Sequence, residues 1–170
     1  VGFKRVLDFA VSNNIKFVYA SSAAIYGNSS SPQKEEIKPS PKNIYAFSKL
    51  ASNNIAMKLM KERSNLIVGL RYFNVFGPRE KFKGKMASMV WQLSQQMIKG
   101  KRPRVFKYGE QKRDQVYVKD VVNANILALK AKQSCIVNIG SGKATSFNQI
   151  IGSLNKALKT KLEPEYFDNP

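Results

Sequence analysis

The sequence predicts an α/β fold built around a parallel sheet. Three observations carry that expectation. Short apolar runs at 17–20, 67–76 and 136–139 alternate with longer stretches whose apolar residues recur at helical spacing. Strand, helix, strand at these separations is the rhythm of βαβ units with helices covering the sheet. The runs end in small or turn-forming residues: Ser21-Ser22-Ala23-Ala24, Gly77-Pro78 and Gly140-Ser141-Gly142.

The elements follow in order. Phe3, Val6, Leu7, Ala10 and Val11 form one apolar stripe of a helix that Asn13-Asn14 stops. Phe17-Val18-Tyr19-Ala20 reads as a buried strand leading into Ser21–Gly27. A polar loop rich in Ser, Pro and Lys runs to Asn43, and a second helix spans about Ile44 to Lys61, with Leu50, Ile55 and Leu59 among its apolar positions. Ile67 to Phe76 reads as one buried strand, and Arg79 to Lys85 as a charged loop. Met86, Met89, Val90 and Leu93 mark a third helix that ends at Gly100. Arg104–Phe106 and Gln115–Val118 are short strands. Asp120 is placed to N-cap a helix running to about Lys130. Ile136–Ile139 reads as a further buried strand. Ser146 is placed to N-cap a final helix with apolar positions Phe147, Ile150, Ile151, Leu154 and Leu158. There is no internal repeat and no low-complexity tract.

Composition bounds the chemistry. With 170 residues and 43% hydrophobic residues, one ordinary domain's worth of core is available. No apolar run reaches the ~18 residues a membrane helix needs, and no signal-peptide pattern is present. The absence of histidine excludes His-based nucleophilic catalysis. With one cysteine besides, a zinc or iron–sulfur site is not expected, so no metal is assigned. Cys135 sits among apolar residues and reads as a buried thiol of a reducing compartment, and the missing signal-peptide pattern gives the expectation of a cytoplasmic protein. The net charge of +18 (29 Lys+Arg against 11 Asp+Glu) is scattered rather than blocked, which favours a solvated basic surface over a nucleic-acid partner. The chain starts at Val1 inside a helical pattern, so it reads as a piece of a longer protein.

Tyr45 and Lys49 stand four apart on the second helix, so their side chains stack one turn apart. A tyrosine phenol, with a pKa near ~10, is a poor base at neutral pH, and a neighbouring ammonium favours its phenolate. Ser22 ends the preceding strand, and open parallel sheets bind ligands beyond the carboxyl ends of their strands. A hydroxyl there could hold a substrate alcohol or carbonyl while Tyr45 moves its proton. Tyr-x-x-x-Lys by itself occurs often by chance and is better accounted for by a surface helix.

The ordered set carries more weight. It comprises Ser21–Gly27, Tyr45 with Lys49, Arg71–Pro78, Arg113–Val121 and Asn138–Gly142. It resembles the extended short-chain dehydrogenase/reductase family, the nucleotide-sugar epimerases and dehydratases, over essentially the whole chain. Pro78–Met89 and Lys112-Arg113-Asp114 are similar to the branch of that family that inverts C6 of ADP-heptose.

The resemblance implies the C-terminal half of a Rossmann-like parallel sheet plus part of a smaller α/β substrate domain. Residues 1–78 would belong to the first and 79–170 mainly to the second, with strand 136–139 returning to the sheet. It implies NADP as cofactor, with NAD possible, an ADP-heptose substrate, a role in lipopolysaccharide core synthesis, and a homo-oligomer without nucleic-acid or membrane partners. Ser22, Tyr45 and Lys49 would be catalytic, and Lys83 would be a second acid/base group opposite the tyrosine. Spacing alone leaves Lys83 as a solvated loop lysine. Tyr45, Lys49, Val75 and Lys83 would contact the cofactor. Ser22, Asn74, Lys85, Gln92, Phe106, Lys107, Tyr108, Gly109 and Arg113 would contact the substrate, with Arg113 on the diphosphate. Sequence alone equally allows Arg113 a rim ion pair with Asp114.

Lys85 and Gln92 depart from the family pattern, which often has serine and histidine there. The Gly-rich phosphate turn is missing, and Gly140-Ser141-Gly142 lacks its spacing. The expectation is that this stretch alone is inactive and that the complete protein is the enzyme. Two alternatives stay open: another nucleotide-sugar epimerase or dehydratase of the UDP-glucose 4-epimerase kind, and a non-catalytic basic binding protein on the same fold. A dehydratase would usually carry acidic residues after the serine loop, where this chain has Ser22-Ala23-Ala24.

Overall fold

The structure, a computed structural model, describes residues 2–29 and 32–168. The side chain of Lys107 and the expectation of a helical pattern already under way at Val1 lie outside the described residues. In chain order the elements are α1 (Gly2–Ser12), β1 (Phe17–Ser22), a 3-10 helix (Ala23–Tyr26), α2 (Ile44–Glu62), β2 (Ile67–Tyr72), β3 (Asn74–Phe76) and a 3-10 helix (Glu80–Met86). There follow α3 (Met89–Ile98), β4 (Arg104–Phe106), a 3-10 turn (Lys107–Gly109), β5 (Lys112–Tyr117), α4 (Val118–Leu129), β6 (Cys135–Ile139), β7 (Ala144–Ser146), α5 (Phe147–Leu158) and β8 (Glu165–Phe167). They sort into two compact units, one of Val1–Phe73 with Asp120–Ile139, the other of Asn74–Lys119 with Gly140–Pro170. Compared with a division at residue 78, residues 74–78 go with the second unit and most of α4 goes with the first.

The first unit is a three-stranded parallel sheet in the order β1-β2-β6. Its central strand β2 is buried over five of its six residues because the sheet is covered on both faces. On one face Leu7, Tyr19, Ala56 and Ile67 form a cluster with α1 and α2; on the other Val68, Leu70 and Ala128 form a cluster with α4. Gly69 is required where it stands, because a Cβ there would come within 2.6 Å of the Tyr19 ring. In α1 the stripe is narrower than its spacing suggests: Leu7 and Ala10 are buried, but Val6 is exposed. The strand β6 and its Cys135 are half-buried rather than buried, with Cys135 packed at the margin of the second cluster.

The second unit has a sheet in the order β3-β5-β7, parallel between β3 and β5 and antiparallel between β5 and β7, and a two-stranded parallel pair β4-β8. Its core is Leu93 and Met97 of α3, Val105 of β4, and Ile150 and Ile151 of α5. The expected single strand at 67–76 is broken at Phe73: its first part pairs with β1 and β6, its last three residues with β5. The charged stretch after Pro78 is a 3-10 helix rather than a loop, and it takes Met86 out of the third helix, leaving that residue exposed. Asp120 lies in the first turn of α4 instead of capping it, where its charge still complements the helix dipole. Ser146 does cap α5, in a reciprocal capping box with Gln149.

Candidate active site

Ser22, Tyr45 and Lys49 all belong to the first unit. Ser22 closes β1, is buried, and caps the following 3-10 helix by accepting the Ala24 N–H at 3.2 Å, so its own O–H remains to donate. The chain then turns at Gly27, whose φ of +59° and whose approach to the Ser40 carbonyl exclude a Cβ. Asn43 caps α2 by accepting the Ala46 N–H at 2.8 Å, which fixes the turn that carries Tyr45. Tyr45 is 55% exposed, and its hydroxyl has no protein partner among the described residues. The Lys49 Nζ lies 5.7 Å from the Tyr45 ring centroid and donates to the Ala20 carbonyl of β1 at 2.9 Å. One ammonium hydrogen therefore locks the lysine between helix and strand, and two remain for a ligand.

A buried polar network lies beneath this turn. The Arg71 Nη1 donates to the Tyr26 hydroxyl at 2.7 Å and to the Glu35 carbonyl at 3.2 Å, and its guanidinium stacks on the Tyr26 ring. Tyr26 donates on to Asn138 at 2.8 Å, and the Asn138 backbone and amide donate to Glu35 and to the Gln33 carbonyl. The segment leading to α2 is thus tied to β2 and β6. Tyr19, in contrast to Tyr45, is buried and donates to Asn53 at 3.0 Å. Burial pushes its phenol well above the ordinary value against the opposing charge of Arg71, so it stays a neutral structural group.

The second unit holds a cleft of about 440 Å³. Strand β3 contributes Asn74 and Val75; the 3-10 helix contributes Lys83 and Met86; Ala87, Ser88 and Met89 follow; β5 adds Arg113 and Gln115, and α5 adds Phe147. Asn74 is steadied by donating to the Asp114 carbonyl at 3.1 Å. Arg113 does not pair with Asp114: its Nη1 donates to the Lys112 carbonyl, while the Asp114 carboxylate accepts from the backbone and hydroxyl of Ser141 and from the Gly142 N–H at 2.7–2.8 Å. The rim ion pair is therefore corrected, and the guanidinium keeps donors for an anion in the cleft.

Other sequence-nominated residues do not line this cleft. Gln92 spends its amide on the Lys85 and Ala87 carbonyls, bracing the turn that Lys85 belongs to. Phe106, Tyr108 and Gly109 lie at the end of β4, with Tyr108 packed against Tyr166 and its carbonyl held by Asn148. Asn148 is the chain neighbour of the cleft-lining Phe147.

The structure also reveals Glu80, which sequence reasoning missed. It is 3% exposed and accepts from the Gly77 N–H, the Ser88 N–H and the Ser88 hydroxyl, with the Lys83 Nζ at 3.5 Å. Burial alone would raise its carboxyl, but these hydrogen bonds and the Lys83 charge outweigh that and hold it below its ordinary value. A lone acid among the lysines at 79–85 was the available signal.

The model of the NAD dependent epimerase/dehydratase family matches residues 1–140. Among solved structures, the ADP-L-glycero-D-manno-heptose-6-epimerase of Helicobacter pylori is 41% identical, covering 98% of this chain and 53% of that one at a TM-score of 0.90. The UDP-glucose 4-epimerase of Thermotoga maritima, solved with UDP-glucose, is 31% identical over 99% of this chain and 56% of that one, at 0.91. The UDP-N-acetylglucosamine 4-epimerase of Methanobrevibacter ruminantium M1, in complex with UDP-N-acetylmuramic acid, is 29% identical over 99% and 55%, at 0.92. The chain thus spans about half the length of the solved relatives it matches. It belongs to the NAD dependent epimerase/dehydratase family, within the extended short-chain dehydrogenases/reductases.

Proposed function

We propose that the complete protein inverts C6 of ADP-glyceromanno-heptose, as a cytoplasmic homo-oligomer serving lipopolysaccharide core synthesis. The observation that carries this reading is Lys83, a cleft-wall ammonium in the same unit as Arg113 and Asn74. The 41% identity to a heptose epimerase, against 29% and 31% for the two UDP-sugar epimerases, supports the choice of sugar. The chain's own groups supply what an inversion needs. Ser22 holds the reacting oxygen with its free O–H, and Tyr45 takes and returns the proton in one presentation of the sugar. Lys83 does so in the other, because a carbon inverted through a transient ketone needs proton transfer in two orientations. Arg113 binds the diphosphate, and Asn74 binds the sugar.

The cofactor is NADP in this reading, with NAD the alternative; when bound, it supplies reversible hydride acceptance at C6. Residues of the first unit fit it, since Lys49 retains two ammonium hydrogens and Tyr45 an open hydroxyl for ribose oxygens; the family resemblance further assigns Val75 and Lys83 of the second unit to the cofactor.

The test uses full-length protein with ADP-D-glycero-D-manno-heptose and NADP. Tyr45→Phe should lower kcat by about 10³-fold or more and Lys83→Met by about 10²-fold, the range general acid–base groups contribute. Normal turnover in both variants would sink the mechanism. Conversion of UDP-glucose instead of ADP-heptose would move the assignment to a hexose 4-epimerase.

A further inference from the structure

Glu80 is the only buried acidic side chain among the described residues. A carboxylate out of water is tolerated only when its lone pairs are satisfied, and here they are. Its Oε1 accepts from the Gly77 N–H at 3.1 Å and from the Ser88 hydroxyl at 2.8 Å; its Oε2 accepts from the Ser88 N–H at 2.6 Å. The Ser88 hydroxyl in turn accepts the Trp91 N–H at 3.2 Å and so caps α3. One anion thereby joins three segments: the residue after β3, the 3-10 helix and the start of α3. The 3-10 helix and the start of α3 contribute residues to the cleft wall, and β3, which Gly77 follows, contributes Asn74 and Val75. Oε2 also lies 3.5 Å from the Lys83 Nζ, whose side chain stays 53% exposed. A lone exposed ion pair would order little. Here the anion is itself fixed by three hydrogen bonds, so the half-exposed ammonium is tethered from a rigid point.

We propose that Glu80 is a positioning residue that clamps residues 77–88 and presents the Lys83 ammonium to the cleft, an inference that rests on Lys83 acting in the reaction as read above. Glutamine cannot reproduce the clamp. Its one oxygen and one NH₂ group cannot accept from all three donors, and it carries no charge for Lys83.

The test is a double-mutant cycle in the full-length protein on ADP-heptose, with hydrogen exchange of the Gly77 and Ser88 amides as a readout that needs no substrate. Glu80→Gln should lower kcat by about tenfold in the otherwise native enzyme and by less than about twofold in the Lys83→Met background, since coupled residues are non-additive. It should also speed exchange at both amides by about tenfold, the population of open loop rising as the clamp is lost. Equal losses of kcat in the two backgrounds would overturn the positioning role, and unchanged exchange would overturn the clamp. Should Glu80→Gln fail to fold, Glu80→Asp, which keeps the charge and withdraws it by one methylene, is carried through the same cycle. A smaller loss confined to the Lys83-containing background supports the inference, and equal losses overturn it. If the native enzyme ignores ADP-heptose, the reading of its substrate fails on its own. The cycle is then run on UDP-glucose, because the Glu80 contacts do not depend on the sugar.

Discussion

Two buried charges, Arg71 and Glu80, solve the same problem in different ways. Among the described residues Arg71 has no carboxylate partner and relies on Tyr26, the Glu35 carbonyl and ring stacking, with its Nε left without a protein partner. Arg71→Met should therefore destabilise the protein by about 2–4 kcal/mol, because Tyr26, Glu35 and Asn138 lose their shared anchor, and Arg71→Lys should recover little of it. Urea unfolding of the full-length protein measures both; a loss below ~0.5 kcal/mol for Arg71→Met would show that the network contributes no net stability. Glu80 has a pH signature. Its folded pKa is held below the ordinary 4.5, so its contribution is present above that value and is lost as pH falls through the depressed folded value. Wild-type stability should fall more steeply than that of Glu80→Gln as pH drops below about 4.5. Parallel curves would refute the buried-carboxylate assignment. Neither role was legible in sequence. Arg71 looked like part of a family motif and Glu80 like one charge among many, because burial depends on what the chain brings over a residue.

Among the elements, α2 meets the clearest demand of the proposed mechanism, since its first turn carries Tyr45. Its apolar spacing is weak and its buried positions are Ala46, Asn53 and Ala56, so its entry relies on the Asn43 cap. Asn43→Ala should cost about 1 kcal/mol and lower kcat by several-fold as the Tyr45 turn frays, while Asn43→Asp should keep both. Thermal unfolding with parallel kinetics checks this, and a full loss of stability without any change in kcat would separate the cap from the site. The helices and the strand at 104–106 were readable because period and length are local properties. The break at Phe73 was not, because an uninterrupted apolar run reads alike whether its halves pair in one sheet or two. Nor were the two short strands β7 and β8, at three residues each, or the 3-10 helix after Pro78. The last is held by Glu80 rather than by apolar spacing, and it is why Met86 falls outside α3. The site divides likewise. Tyr45 with Lys49 could be read from one helix, and Ser22 from a strand end. The cleft draws on five elements whose meeting no local pattern encodes, and it takes in Asn74, Val75, Lys83 and Arg113 but not Lys85 or Gln92.

The whole chain carries +18. Dispersed surface charge and charge that recruits an anion make different predictions at this scale. The cleft wall contains Lys83 and Arg113, and the one acid beside Lys83 is buried and already satisfied. Hydrogen bonding leaves the Glu80 charge in place, where it offsets Lys83 at 3.5 Å, so the positive charge left to the cleft is that of Arg113, which would speed the encounter with a dianionic diphosphate. With a Debye length of ~10 Å at 0.1 M, such steering fades as salt rises. Raising salt from about 20 to about 300 mM should lower kcat/KM for the nucleotide sugar by about five- to tenfold and leave kcat within about twofold, because chemistry inside the cleft is less screened than approach to it. Arg113→Gln should flatten that dependence more than Lys156→Gln, which changes the same net charge on α5 outside the cleft-lining set. A kcat/KM that is flat in salt would make the charge a solvated surface with no part in substrate capture. Salt-sensitive duplex DNA binding by a protein that turns over no nucleotide sugar would favour the basic binding protein instead.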